Sequence, residues 1–93
     1  MVEYKKGYFA RSIAGHDKGK MYIIIEGTHE TGKEDLVYLT DGDLKPLDKP
    51  KKKKIKHIQV VKTSDPRIEE LIQHGQEIRD KDIKRAIKTY SKR

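Results

Sequence analysis

Lysines are concentrated in one short stretch of the chain, at a spacing close enough to contact neighbouring phosphates. Residues 45–58 read KPLDKPKKKKIKHI. A run of like charges is often a solvated segment without a partner. This run lies where the sequence pattern indicates the start of a β-strand, so it is predicted to present a row of cations to a polyanion.

A second basic segment, residues 14–20 with the sequence AGHDKGK, lies between two apolar, strand-like stretches. Gly15 and Gly19 can adopt positive φ, which lets backbone N–H groups approach a phosphate, and Lys18 and Lys20 add positive charge. The alternative is an ordinary hairpin in which the glycines serve geometry alone. Asp17 is predicted to stabilise the turn and not to bind a ligand.

The candidate binding residues come from these two segments and from one nearby arginine. They are Arg11, Gly15, His16, Lys18, Gly19, Lys20, Lys45, Lys49, Lys51, Lys52, Lys53, Lys54, Lys56 and His57. Lysine is a mobile point charge that follows a nucleic-acid backbone without reading bases. Arg11 is the one nearby candidate for a bidentate base contact. We therefore expect contacts that follow phosphate spacing in preference to base sequence.

Composition agrees with a polyanionic partner. The chain has 22 Lys and Arg against 15 Asp and Glu, a formal net charge of +7. Its length of 93 residues predicts one domain with a modest core. Because it has no cysteine, disulfides and thiolate chemistry are excluded. No signal peptide and no apolar stretch of roughly 20 residues is found, so a soluble cytoplasmic protein is expected.

The first two thirds of the chain are predicted to form five short β-strands with no helix between them. Asp41 and Gly42 are predicted to form a type I′ hairpin turn, and residues 27–34 an exposed loop. This pattern favours a small, partly closed five-stranded barrel. The predicted strands are residues 8–14, 21–26, 35–40, a segment near 43–47, and 55–62.

The last third of the chain is predicted to be helical. Asp65 suits an N-cap and Pro66 the first helical position, with Gly75 as the end of that helix. A second helix is predicted near Asp80, with apolar residues on one face and basic residues on much of the rest. A DNA-binding helix-turn-helix is disfavoured, because no third helix precedes the pair. Residues 1–62 are thus predicted to form the barrel domain, and residues 63–93 a helical extension packed on or beside it.

The basic turn at residues 14–20, followed by an Ile-rich strand, resembles the KOW motif, a β-loop-β unit of ribosomal proteins and transcription elongation factors. Residues 37–47 (VYLTDGDLKPL), followed by the lysine-rich stretch, resemble bacterial KOW-domain RNA-binding proteins related to eukaryotic-type large-subunit ribosomal proteins. The resemblance covers residues 6–62 and, more loosely, the tail. Tyr22 stands where many KOW motifs have a further glycine. The resemblance implies a mainly β fold with a five-stranded Src-homology-3-like barrel that binds structured RNA, with ribosomal RNA as the expected target.

Two classes of function follow from the sequence. The first is a non-catalytic RNA-binding protein associated with the ribosome or its maturation, with ribosomal RNA and ribosomal proteins as partners. No cofactor, metal, membrane or small-molecule substrate is expected, since the four histidines lack metal-ligand spacing and have no nucleophile beside them. These histidines are His16, His29, His57 and His74.

The second class of function is a protein-interaction module. It would dock an acidic partner through the small barrel and helical tail.

Overall fold

The computed structural model describes residues 4–28 and 36–92. It contains five strands followed by two helices, with a single 3₁₀ turn at Ile55–His57 between the last two strands. The strands are β1 (Tyr8–Ser12), β2 (Met21–Thr28), β3 (Leu36–Thr40), β4 (Lys51–Lys54) and β5 (Ile58–Ser64). The helices are α1 (Pro66–Gln73) and α2 (Asp80–Ser91).

The strands form one antiparallel sheet in the order β4-β3-β2-β1-β5. The predicted mainly β fold with a C-terminal helical pair is confirmed. Within residues 4–28 and 36–92, no hydrogen-bonded ladder joins the two edge strands β4 and β5. The closed, Src-homology-3-like form of the barrel therefore stays a prediction.

The predicted fourth strand near residues 43–47 is wrong. The strand that pairs with β3 lies later in the chain and is the lysine run itself, with Leu39 opposite Lys51 and Leu36 opposite Lys54. A type I′ turn needs positive φ at both central residues. Only Gly42 has it, at +76°. Asp41 instead accepts hydrogen bonds from the backbone N–H groups of residues 43 and 45, at 2.9 and 2.8 Å, which stabilises a longer loop.

Other boundaries shift by a few residues. The first strand ends at Ser12, and the fifth begins at Ile58 because the 3₁₀ turn occupies its predicted start. Gly27 and Thr28, predicted to be loop residues, extend β2. The rest of the predicted loop, His29 and the predicted start of the third strand lie outside the described residues.

Both faces of the central sheet are buried. Tyr22 and Ile24 pack with Ala10, Val37 and Leu39 in one hydrophobic cluster. Between them in sequence, Ile23 points the other way and packs with Phe9 and the helices. Successive side chains of a strand point to opposite faces, so a continuous apolar run requires cover on both. The apolar run of β2 has that cover, with one hydrophobic cluster on each face.

The helices begin and end where local sequence signals predict. The Asp65 carboxylate accepts backbone hydrogen bonds from Arg67 and Ile68 at 3.0 and 3.1 Å, and Pro66 is the first helical residue. Gly75, with φ of +64°, follows the end of α1. The Asp82 side chain accepts a hydrogen bond from the Arg79 N–H at 3.0 Å, so α2 is capped although Arg79 is itself a poor N-cap.

Helix α2 is fixed to the sheet at both ends. At its start, the Asp80 carboxylate accepts a hydrogen bond from the Leu47 N–H at 2.7 Å. Next to it, the helix backbone lies so close to Gly42 that a Cβ there would overlap the Asp80 carbonyl oxygen. Near its end, Tyr90 stacks on Phe9 with ring centroids 4.4 Å apart. The helix therefore holds a defined position over the sheet.

Candidate nucleic-acid interface

Asp17 joins the two basic segments that the sequence singled out. Its carboxylate lies in the glycine turn, which we define as residues 14–20. It accepts hydrogen bonds from the hydroxyls of Ser12 and Tyr22, each at 2.9 Å. It also forms ion pairs with two lysines of β4: Lys53 Nζ is 2.6 Å from Oδ1, and Lys51 Nζ is 3.1 Å from Oδ2. The turn and the lysine strand therefore lie side by side.

Lys53 reaches from one edge of the sheet to the end of β1. Its strand, β4, is an edge strand separated from β1 by two others, yet its ammonium group reaches the end of β1 and the turn beyond it. Nζ donates to Ser12 Oγ and, at 2.8 Å, to the Ala14 carbonyl oxygen in addition to Asp17. Only 9% of the side chain is exposed. Lys53 is therefore a structural connection across the sheet.

The electrostatics of this network keep Asp17 charged and Tyr22 neutral. Burial alone would raise the pKa of Asp17, but hydrogen bonds from Lys53, Lys51, Tyr22 and Ser12 outweigh it and hold that pKa well below its ordinary value of 3.8. Burial, then the hydrogen bond to Asp17 and its negative charge, raise the pKa of the Tyr22 phenol above its ordinary value. Near neutral pH, Asp17 is the acceptor and Tyr22 a donor.

The lysine run is divided between two faces because it is a strand. Lys51 and Lys53 point toward the glycine turn, the first half-buried and the second largely buried, whereas Lys52 and Lys54 are exposed. Alternation of this kind follows from the period of two in strand geometry. Only alternate lysines of the run are thus presented to solvent on the outer face.

Lys20 is held by a second carboxylate. Its Nζ lies 2.7 Å from Asp41 Oδ2 and 5.5 Å from the centre of the Tyr22 ring. Burial opposes ionisation of Asp41, but the hydrogen bond from Lys20, with two backbone N–H donors, lowers the pKa of that carboxyl. The ion pair ties the end of the glycine turn to the loop between β3 and β4.

The remaining candidates lie around this centre. Lys45 and Lys49 are exposed in the loop between β3 and β4, where the Lys45 carbonyl oxygen accepts hydrogen bonds from the Asp41 N–H and the Thr40 hydroxyl. The His57 carbonyl oxygen accepts a hydrogen bond at 3.0 Å from the N–H of Ile13, which brings the 3₁₀ turn next to the end of β1. The exposed candidates are Arg11, Gly15, His16, Lys18, Gly19, Lys45, Lys49, Lys52, Lys54 and Lys56. His57, Lys20 and Lys51 are half-buried, and Lys53 is largely buried.

Gly15 and Gly19 adopt the left-handed conformation that the turn was predicted to need, with φ of +86° and +91°. The Gly19 N–H donates to the Ser12 carbonyl oxygen at 2.7 Å, and the Ser12 N–H donates to Lys20 at 2.9 Å. These bonds extend the hairpin past the end of β1. The turn is thus a rigid element that presents Lys18 at its tip.

Sequence reasoning missed two residues of the network, Ser12 and Tyr22, and limited Asp17 to its own turn. Ser12 is 1% exposed, and the sequence carries no local signal for it, since β1 also contains the charged Arg11. The Tyr22 ring lies in the hydrophobic core, but its hydroxyl reaches Asp17. The structure adds these residues as supports of the basic surface.

The described part of the chain has no cluster of three or more His, Cys, Asp or Glu side chains arranged to hold a metal ion. Among the same residues, neither helix has the length and apolar character to cross a bilayer. What the arrangement offers is positive charge on a stiff frame, which suits electrostatic binding of an anionic polymer. The chain matches no protein-family model, and a search of the curated proteins gives no match either.

Proposed function

We propose that this chain is a non-catalytic RNA-binding protein of the cytoplasm that binds structured RNA, with ribosomal RNA as its target. The RNA backbone would pass from Lys18 at the tip of the glycine turn over the sheet edge formed by β4, so that Lys52 on the outer face of β4 and Lys49 in the preceding loop also contact phosphates. The net charge of +7 supports the long-range attraction that brings the two together. Since lysines dominate the surface, the contacts follow phosphate spacing in preference to base identity.

The observation that supports this proposal most is the double ion pair of Asp17 with Lys51 and Lys53. It holds two basic segments, separated by about thirty residues in the chain, on a common side of the sheet. Charges held on a rigid frame lose little conformational entropy on binding, which favours recognition of a polyanion. Scattered lysines on mobile segments would lack this advantage.

We further propose that the sheet is a KOW-type, Src-homology-3-like barrel. The reach of Lys53 from the edge strand to the end of β1 supports strong curling of the sheet. The short 3₁₀ turn between β4 and β5 lets the chain pass from one edge of the sheet to the other. Curling of this kind protects sheet edges from unwanted pairing.

Titration of a labelled fragment of structured ribosomal RNA against two charge-matched variants tests the proposal. The test variant is Lys18→Gln/Lys49→Gln/Lys52→Gln, whose three side chains are exposed near the proposed interface. The control is Lys6→Gln/Arg67→Gln/Lys81→Gln, which removes the same charge from exposed positions elsewhere. We expect the test variant to bind RNA roughly tenfold or more weakly at 0.1 M salt. The slope of log affinity against log salt concentration, called the salt slope below, should fall in magnitude by roughly 2 to 3.

Equal affinity of the two variants would contradict the proposed interface. Tight binding of the wild type to an acidic peptide, with no binding to RNA, would instead favour the protein-interaction module. The ribosomal part of the proposal is tested by cosedimentation of the protein with ribosomal subunits from lysate. If the protein is recovered only in the ribosome-free fraction but still binds purified RNA, its target is an RNA outside the ribosome.

A further inference from the structure

A shallow groove runs along the sheet between the glycine turn and helix α2. It has two adjoining parts, of about 500 Å³ and about 390 Å³. Both are lined by Gly19 of the turn and by the C-terminal end of α2. Residues common to the two parts are Gly19, Met21 and Ser91. The groove begins at the candidate RNA interface and ends on the C-terminal helix.

Cations outnumber carboxylates along this groove. Arg11 lines one part, and Lys84 and Lys88 of α2 line the other. All three are exposed, and none of them has a carboxylate at ion-pair distance among the residues that the structure describes. Of the two carboxylates in the lining, Asp41 is already paired with a lysine, and Asp43 is exposed at the rim. The groove therefore keeps a positive surface.

The two walls of the groove are held at a fixed separation. The start of α2 lies against Gly42 and is bonded to Leu47, and its end is stacked on Phe9 through Tyr90. The opposite wall is the hydrogen-bonded glycine turn. Because neither wall can move without breaking packed contacts, the backbone positions of Lys84 and Lys88 are fixed relative to the glycine turn.

We propose that this groove continues the RNA-binding surface, so that the sugar-phosphate backbone passes from β4 across the glycine turn onto α2. Lys84, Lys88 and Arg11 would pair with phosphates, while Met21 and Tyr90 give the floor apolar and aromatic surface against which ribose packs. This inference rests on the proposed function, and it assigns the helical extension a direct role in binding. The helices then do more than cover the sheet.

The variant Lys84→Gln/Lys88→Gln tests the groove, with Lys6→Gln/Arg67→Gln as the control that removes the same charge from outside it. We expect the groove variant to bind structured RNA roughly tenfold or more weakly at 0.1 M salt, with a salt slope smaller by roughly 1.5. The control should bind within about twofold of the wild type. Since all four side chains are exposed, thermal unfolding of both variants should match the wild type.

Proximity to the RNA can be measured independently because the chain has no cysteine. A cleavage reagent attached to Ser91→Cys in the groove should cut bound RNA, whereas the same reagent on Gln76→Cys, exposed between the two helices, should not. Equal cutting from both positions would contradict a path through the groove.

The outcomes separate this inference from the proposed function. If the wild type binds RNA and the groove variant binds equally well, the groove is not part of the interface and the turn and β4 suffice. If the wild type binds no RNA, both proposals fail. If the groove variant loses affinity only for a polyglutamate peptide, the groove belongs to an acidic protein partner.

Discussion

The Nζ atom of Lys53 lies 2.6 Å from Oδ1 of Asp17, although Lys53 is on the edge strand β4, Asp17 is in the turn that follows β1, and two other strands separate β4 from β1. Both side chains are largely buried, with 9% and 11% exposed. A buried ion pair stabilises a fold only when further hydrogen bonds satisfy its members, and Ser12 and Tyr22 provide them here. The pair therefore sets the position of the turn relative to the lysine strand.

Replacement of Asp17 by Asn should destabilise the protein. The Lys53 ammonium would lose its main counter-charge while staying buried, at a cost of about 3 kcal/mol in the free energy of unfolding. Urea unfolding followed by circular dichroism measures the change. Asp43→Asn, at an exposed carboxylate, should change the free energy by less than about 0.5 kcal/mol. Equal midpoints for the two variants would show that the buried pair does not stabilise the fold.

Stability should fall at acid pH, and Asp17 should contribute much of the fall. Its pKa in the folded state lies well below the ordinary value of 3.8, so the unfolded chain takes up the proton first. The stabilisation is complete above about pH 5 and is lost as pH falls through 3.8 toward the lower folded-state pKa.

Urea unfolding of the wild type and of Asp17→Asn at pH 7 and pH 3 measures how much free energy of unfolding each protein loses in acid. The pKa values of Asp41 and Asp65 are also lowered, so the variant should still lose stability in acid, though less than the wild type does. An equal loss in the two proteins would mean that Asp17 titrates alike in the folded and unfolded chains.

Gly42→Ala should disturb the packing of the start of helix α2 against the loop between β3 and β4. Alanine at position 42 would have to adopt the positive φ of Gly42, which is unfavourable for a residue with a side chain. Its methyl group would also overlap the Asp80 carbonyl oxygen. Gly75→Ala is a matched control, because Gly75 has φ of +64° but open space around it. We expect a loss of about 1 kcal/mol for the control from backbone strain and of about 3 kcal/mol for Gly42→Ala. Thermal unfolding compares them, and equal losses would exclude the close helix approach.

Arg85 should matter for stability and not for RNA binding. Its Nη2 atom lies 2.7 Å from Oδ2 of Asp65, the N-cap of α1, so its charge already has a partner. Arg85→Gln should lower the free energy of unfolding by about 1 kcal/mol, since the guanidinium is partly exposed. Its RNA affinity, measured well below the melting temperature, should stay within about twofold of the wild type. A tenfold weaker complex would place Arg85 in the interface.

The sequence predicted the helices best, because their signals are local. Asp65 before Pro66 determines where α1 begins. Gly75 follows the last turn of α1, where the chain adopts a positive φ that glycine tolerates. The fourth strand could not be placed in the same way. A long loop precedes this strand, and within the loop Gly42 lies against a helix some forty residues later, a contact that a local turn signal does not reveal.

The candidate site was predicted in outline only. The two basic segments do lie together, but four consecutive lysines have no alternation of residue type from which to read a strand. The buried role of Lys53 and the exposure of Lys52 therefore became visible only in the folded sheet. Asp17 was assigned to the turn correctly, yet its ion pairs with β4 span residues far apart in sequence.

The most direct test of the account is amide chemical-shift mapping of the ¹⁵N-labelled protein during titration with structured RNA. If the turn and the lysine strand form one surface, the amide signals of residues 15–20 and 51–54 should shift together and saturate at the same RNA concentration. Signals of α1, none of whose residues is a proposed RNA contact or lines the groove, should stay in place. Shifts confined to one basic segment, or centred on α1, would contradict the account.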